Sequence, residues 1–351
     1  MRILHLYRPR VPTSRAQAIQ VLHTCHALAR RGHTVTLLAD RVGPEDADAI
    51  APVVDVDAAL EAYGLDRPAG LDLRLAPSRH PTAAGLWFRW ARARWEGDLV
   101  YARAKRYVSA IPDTVPVVVE AHEVDSLADV EAGRDPTANR ALEAAVYARA
   151  AGVVANATGT LERLEATVSL PAHRRVIWNA TRADRVITRS PGPGRRVGYT
   201  GSPRDWKGVG ALAAAVDLWP DDVRLELVGG GDVRHPRVDV VAPVAYGALP
   251  ERLARYDVLL LPLLDNLYGR HLANPLKLWD YLATGIPIVA ADLPSVRGVA
   301  GDRLYYYQPG DVGSLAAAVG RALAAGPQPT WVRTWDDRAE EIERFLGEVL
   351  R

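Results

Sequence analysis

The segment Asn274–Asp292, NPLKLWDYLATGIPIVAAD, sets a lysine and an acid three residues apart on one helical face. Asn274 can cap that helix, and Pro275 fits its first turn, where a missing N–H costs nothing. A helix start attracts anions through its free N–H groups, and Lys277 adds a full positive charge there. Asp280, one turn deeper, can accept from sugar hydroxyls, as acids do in dinucleotide folds. A second segment, YTGSPRDWKG at 199–208, reads as a strand, Gly201, a polar loop with Ser202 and Arg204, then a helix from about Lys207. That layout cradles phosphate, although neither GxxxxGK[ST] nor GxGxxG is present. Alone, each segment also reads blandly: a helix packing Leu278, Tyr281 and Leu282 with its charges in water, and an ordinary turn with Lys207 solvated. Together they offer two positive poles, which suits a diphosphate.

The first half of the chain holds a different chemistry. VEAHEVDS at 119–126 packs Glu120, His122, Glu123 and Asp125 at the end of a buried strand. His122 there can orient a ligand or transfer a proton; the alternative is a loop histidine bonded to a neighbouring carboxylate. Without HExxH or a second histidine at ligand spacing, no metal site is expected. YARAKR ends another strand with Arg103, Lys105 and Arg106. RPRVPTSR at 8–15 brings Arg8, Arg10, Ser14 and Arg15 to the same rim. Either group can meet phosphate or an acidic acceptor, or lie solvated. AGLWFRWARARWEG at 84–97 interleaves Trp87, Phe88, Trp90 and Trp95 with arginines. At about 100° per residue its aromatics and Ala91 share one broad face, which fits a core-packing helix or an interfacial one. No GxSxG or cysteine–histidine pairing supports a covalent hydrolase.

With 351 residues, 48% hydrophobic and 24% charged, the chain has the balance of a soluble globular protein of two ordinary domains. A net charge of +1 gives no bulk attraction to nucleic acid. Among 43 basic residues only three are lysines, namely Lys105, Lys207 and Lys277, places where a compact ammonium suits better than a planar fork. The single cysteine, Cys25, excludes an internal disulfide and suggests a reducing, cytoplasmic setting. No apolar run reaches the roughly 18–20 residues of a membrane span, and the opening MRILHLYRPR has too short an apolar stretch for a signal peptide.

These segments need elements to position them. Apolar runs at 2–7, 34–40, 71–77, 98–104, 115–124, 152–157 and 175–180 read as strands, with helical stretches between most, the first at 14–32. A Pro/Gly-rich linker at 188–196 follows. Strands then recur at 196–202, 223–231, 238–244, 258–263 and 286–292, with helices at 314–326 and 334–351. Near-continuous Val/Ile/Leu strands between helices mean parallel sheets covered on both faces. The expectation is an α/β chain of two doubly wound Rossmann-like domains, 1–190 and 191–333, with a terminal helix at 334–351. Ligands bind such sheets outside the carboxyl ends of their strands, so a cleft between two such domains is the default site.

On these motifs the chain resembles the retaining glycosyltransferases of family four, the group-one type with a GT-B fold. SRAQAIQVLHTCHALARRGHTVTLLAD, VGYTGSPRDWKG, LPERLARYDVLLLPL and, most specifically, NPLKLWDYLATGIPIVAADLP carry the resemblance, with the final Trp-containing helix expected to pack back toward the N-terminal domain. It implies transfer of a sugar from a nucleotide diphosphate sugar to a hydroxyl acceptor (a glycan, lipid-linked sugar or small molecule), with retained configuration and neither metal nor cofactor. The N-terminal domain would take the acceptor, on Ser14, Arg15 and Arg103, and the C-terminal domain the donor. Lys207 and Lys277 would neutralise the leaving diphosphate, helped by Gly201, Ser202, Arg204 and the segment Asn274–Pro275–Leu276. Asp280 would hold the ribose, backbone near Val244 would meet the base, and His122 would contact the donor sugar or its phosphate. A peripheral contact with the inner membrane face goes with the tryptophan helix.

Two positions depart from the family pattern. Its usual first acid is replaced by Leu272, leaving His271 and Arg270 as the polar neighbours, and Ser202 stands where an arginine often follows the loop glycine. Two other functions remain open on the same frame: a nucleotide-sugar epimerase, and a non-catalytic sugar-nucleotide-binding protein.

Overall fold

A computed structural model describes residues 1–42, 46, 49, 55–182, 194–202 and 208–351. Chain contacts divide it into two units, Met1–Trp178 with Ala245–Gly247 and Trp335–Arg351, and Asn179–Val244 with Ala248–Thr334. Most of the linker at 188–196 lies outside the described residues.

The first unit is built on β1 (Arg2–Leu6), β2 (Arg10–Val11), β3 (Thr34–Arg41), β4 (Leu71–Leu75), β5 (Leu99–Ala102), β6 (Val117–Ala121), β7 (Gly152–Ala155) and β8 (Arg174–Val176). These strands pair in the order β2-β3-β1-β5-β6-β7-β8, with β4 beside β3, and every pairing is parallel. The helices are α1 (Ala16–Arg30), α2 (Val56–Glu61), α3 (Pro81–Ala93), α4 (Asp125–Glu131), α5 (Thr137–Arg149) and α6 (Thr158–Thr167), joined by the terminal α12 (Trp335–Val349). All residues of α1 from Ala18 to Ala29 are buried, because the helix lies between the sheet and α12. Its polar residues Gln20, His23, Thr24 and His26 are therefore enclosed and need partners.

The tryptophan helix α3 differs from its sequence reading. Only Ala84, Phe88 and Ala91 are buried. That narrow stripe suffices for packing, and Trp90 stays 53% and Leu86 61% exposed. The aromatics do not share one buried face.

The second unit carries β9 (Arg195–Thr200), β10 (Val223–Val228), β11 (Val238–Val241), β12 (Val258–Leu261), β13 (Ile288–Ala291) and β14 (Tyr305–Tyr307). Its helices are α7 (Gly210–Val216), α8 (Leu249–Leu253), α9 (Leu276–Leu282), α10 (Pro294–Ala300) and α11 (Val312–Ala325). The strand order is β11-β10-β9-β12-β13-β14, again all parallel. Numbered within the unit this is 3-2-1-4-5-6, the dinucleotide-binding order. The order reverses between β9 and β12, and in such sheets the crevice at that point receives the ligand.

Candidate functional site

In the second unit, the loop after β9 meets helix α9 at that reversal. Gly201 follows the strand with φ +126°, a conformation open to glycine and strained for other residues. The Lys277 ammonium lies against the same residue. A Cβ added at Gly201 would stand 2.9 Å from Lys277 Nζ. The ammonium sits 3.8 Å from the centroid of the Tyr199 ring, a cation–π contact of about 0.5–2 kcal/mol. Burial raises the Tyr199 phenol well above its usual range, so the ring stays neutral and its face remains available. Gly229, after β10, completes the turn: its absent Cβ would fall 2.3 Å from the Gly201 carbonyl oxygen. The run Gly229–Gly231, all at positive φ, belongs to this edge, and sequence reasoning left it inside a strand. Its signal was the run itself at a strand's end.

Helix α9 is tied to the strand ends by its buried side. Tyr281 Oη accepts from the Thr200 amide at 3.0 Å and bonds the Thr200 hydroxyl at 2.9 Å. Asp280 is buried, and its Oδ1 accepts from the Thr181 hydroxyl at 2.7 Å. Asn274 does not cap the helix. Pro275 occupies the cap position, with no side-chain cap bond. Asn274 Oδ1 instead accepts from the Trp279 indole N–H at 2.7 Å, and its carbonyl accepts from Asn179 Nδ2 at 2.7 Å. The buried indole N–H required an acceptor, and the asparagine supplies it. Leu272 and Leu276 are buried, while Pro275, His271 and Val244 are half-buried. Arg270 is ion-paired with Asp265. Ser202 accepts from Tyr199 Oη through its carbonyl at 3.2 Å. Arg204 and Lys207 lie outside the described residues.

The first unit gathers its own polar group at the carboxyl ends of β5 and β6. Glu120 Oε1 receives three donors: the Arg338 guanidinium, His122 Nε2 at 3.0 Å and Gln20 Nε2 at 2.8 Å. Arg103 donates to the Gln20 side-chain oxygen and lies 5.4 Å over the Tyr7 ring. Burial opposes ionisation of Glu120, but Arg338, His122 and Arg103 outweigh it and hold the carboxyl well below its usual range. His122 is pushed down to about 4, mainly by burial and by Arg103, against the pull of Glu120. It is a neutral imidazole at pH 7. Ser14 and Arg15 are exposed at the start of α1.

Three basic residues of the predicted rim are committed elsewhere. Lys105 pairs with Asp125 at 2.5 Å and with the fully buried Glu143 at 2.8 Å. Glu143 also accepts from the Asp125 amide at 2.7 Å. Arg8 pairs with Asp40 at 2.9 Å, and Arg10 pairs with Asp46. Among the described residues no cluster of three or more His, Cys, Asp or Glu side chains is arranged to hold a metal ion.

Sequence models place these two edges in one family. Residues 17–185 match Glycosyltransferase Family 4, and residues 194–325 match Glycosyl transferases group 1. The chain belongs to the family-four, group-one glycosyltransferases. Solved structures agree on the GT-B fold of two Rossmann-like domains. Sucrose-phosphate synthase from Thermosynechococcus elongatus is similar at 18% identity over 99% of this chain and 96% of that one, with a TM-score of 0.67. Anabaena HepE in complex with UDP and glucose has 18% identity over 100% of this chain and 97% of that one, with a TM-score of 0.67. WaaG, a glycosyltransferase of lipopolysaccharide biosynthesis, has 14% identity over 97% and 95%, with a TM-score of 0.63. No curated protein matches the sequence.

Proposed function

We propose that this glycosyltransferase moves a sugar from a nucleoside diphosphate sugar to a hydroxyl acceptor, with retained anomeric configuration and without a metal ion. The observation that carries the reading is the Lys277 ammonium held over Gly201. It stands at the reversal point of a dinucleotide-type sheet, where an anionic leaving group would be stabilised without metal. HepE, whose structures hold UDP and UDP-glucose, supports a nucleotide-sugar donor.

In the proposed step the bond from the anomeric carbon to the β-phosphate oxygen breaks. The acceptor oxygen bonds to the same face of that carbon, and the acceptor proton passes to the departing phosphate. No protein nucleophile takes part. Lys277, with the amides that open α9, stabilises the departing charge, a large catalytic term in a pre-organised site; Lys207 and Arg204 are proposed to share that work. Asp280 holds the ribose, backbone near Val244 meets the base, and His122 meets a hydroxyl of the donor sugar. Ser14, Arg15 and Arg103 serve the acceptor. Incubation with a panel of donors, reading released nucleoside diphosphate and the product's anomeric configuration by NMR, tests this. An inverted product, an epimerised donor, or binding without turnover would each contradict it.

A second proposal concerns where the reaction occurs. Arg79–Trp95 contains four arginines and no acid, and Leu86 and Trp90 are exposed on α3, with Arg94 4.4 Å over the Trp90 ring. Exposed apolar side chains among cations suit an anionic lipid surface. We propose that the enzyme works in the cytoplasm, touching the inner membrane face through α3. Among the described residues no helix is long and apolar enough to cross a membrane. Co-sedimentation should be strong with anionic vesicles, weak with neutral ones, and lost in Leu86→Ser/Trp90→Ser. Equal recovery with both vesicle types would overturn the membrane reading.

A further inference from the structure

The three donors on Glu120 are unevenly shared. All of them converge on Oε1, while the buried Oε2 has no hydrogen-bond partner among the described residues. An arginine that served only to clamp a carboxylate would favour the two-pronged geometry that engages both oxygens. Arg338 is fully buried on α12, and it spends its other donors on the Trp178 carbonyl at 3.1 Å and the Thr24 hydroxyl at 2.8 Å. The guanidinium is thereby fixed from three directions, and Glu120 is fixed by it. Glu120 Oε1 is thereby held between the Arg338 guanidinium and His122 Nε2.

An ionised carboxylate only accepts hydrogen bonds. His122 must therefore carry its proton on Nε2, toward Glu120, which leaves the Nδ1 lone pair as an acceptor. The His122 side chain is 13% exposed, and Nδ1 is not among the buried polar atoms that lack a partner. We infer that Arg338 and Glu120 are positioning residues that lock His122 as a neutral Nε2–H imidazole whose Nδ1 accepts from a substrate hydroxyl. The assignment rests on the proposed role of His122 and adds to it a direction for the hydrogen bond and a control point on the terminal helix. Among the described residues, the charged and titratable groups facing this unit are Glu120 on β6, Arg103 after β5, Arg338 on α12, Cys25 on α1, and His5 on β1 with Tyr101 on β5. Arg103 and Arg338 oppose protonation of His122 and Glu120 favours it. Loss of Arg338 should therefore make the imidazole more basic.

Nitrogen NMR of His122 in the ligand-free full chain tests this without requiring turnover. The wild type should show the neutral Nε2–H tautomer from pH 8 to about 5, with protonation only near the value of about 4. In Arg338→Met the midpoint should rise above about 4; in Glu120→Gln the tautomers should mix, because an amide can donate as well as accept. An Nδ1–H tautomer in the wild type would overturn the inference whether or not the variants fold. So would an unchanged midpoint in a folded Arg338→Met chain. If the transferase reading also holds, the acid limb of the kcat/KM profile moves upward in Arg338→Met, with Arg338→Lys intermediate. A chain without transferase activity that still gave the expected tautomer and shift would remove the proposed function and leave the positioning intact.

Discussion

The Lys277 ammonium occupies the space that a side chain at Gly201 would need: a Cβ there would lie 2.9 Å from Nζ and 3.4 Å from Cε. The glycine and the lysine sit 76 positions apart in sequence, yet each is required by the other's place. The loop turns at φ +126° at Gly201, and the same ammonium lies 3.8 Å from the centroid of the Tyr199 ring.

Gly201→Ala should therefore weaken nucleoside diphosphate binding at least tenfold, about 1.4 kcal/mol. It displaces the ammonium and strains a left-handed turn, which costs about 1 kcal/mol or more. Calorimetry on the folded variant checks this; wild-type affinity would show that the ammonium does not touch the ligand.

Asp280→Asn should weaken nucleotide binding more than acceptor binding, since its carboxylate is assigned to the ribose. Its Oδ1 already accepts from Thr181, so Thr181→Val serves as the comparison. If both variants lose only thermal stability and keep nucleotide affinity, Asp280 is structural.

Lys105→Met should act on stability and leave nucleotide affinity unchanged. It removes the ammonium from the fully buried Glu143, which retains the Asp125 amide and the Ser126 hydroxyl. A loss of about 3–5 kcal/mol is expected, as for a buried ion pair that loses one partner. A denaturant titration beside calorimetry separates the two effects.

Acid should destabilise the fold before carboxylates titrate. His5 and His122 are both pushed down to about 4, each chiefly by burial. Between pH 6.5 and about 4 the unfolded chain binds protons that the folded chain refuses, so stability falls as pH falls through that window. Thermal melts at pH 7, 6, 5 and 4 should show a progressive drop, reduced in His5→Gln. A flat profile down to pH 5 would contradict the depressed values.

Much of this was legible in the sequence because it is local. Lys277 and Asp280 share a helix face by their spacing, and the strand–glycine–loop pattern marks the turn at Gly201. The parallel sheets followed from the near-continuous apolar runs. What escaped was set by distant partners. Lys105 looked free until Glu143, 38 residues away, took it. Asn274 looked like a cap until the Trp279 indole claimed its oxygen. Helical periodicity grouped the α3 aromatics but could not say that Ala84, Phe88 and Ala91 alone would fill the packing stripe. The Arg338–Glu120 pair joins residues 218 positions apart, and no local pattern announces it.

The central claim, that Lys277 stabilises the leaving diphosphate, is tested most directly by the kinetics of Lys277→Ala with the preferred donor. The account predicts at least a tenfold fall in kcat/KM, roughly 1.4 kcal/mol of transition-state stabilisation, with the folded structure retained. Wild-type kcat/KM in that variant would contradict it.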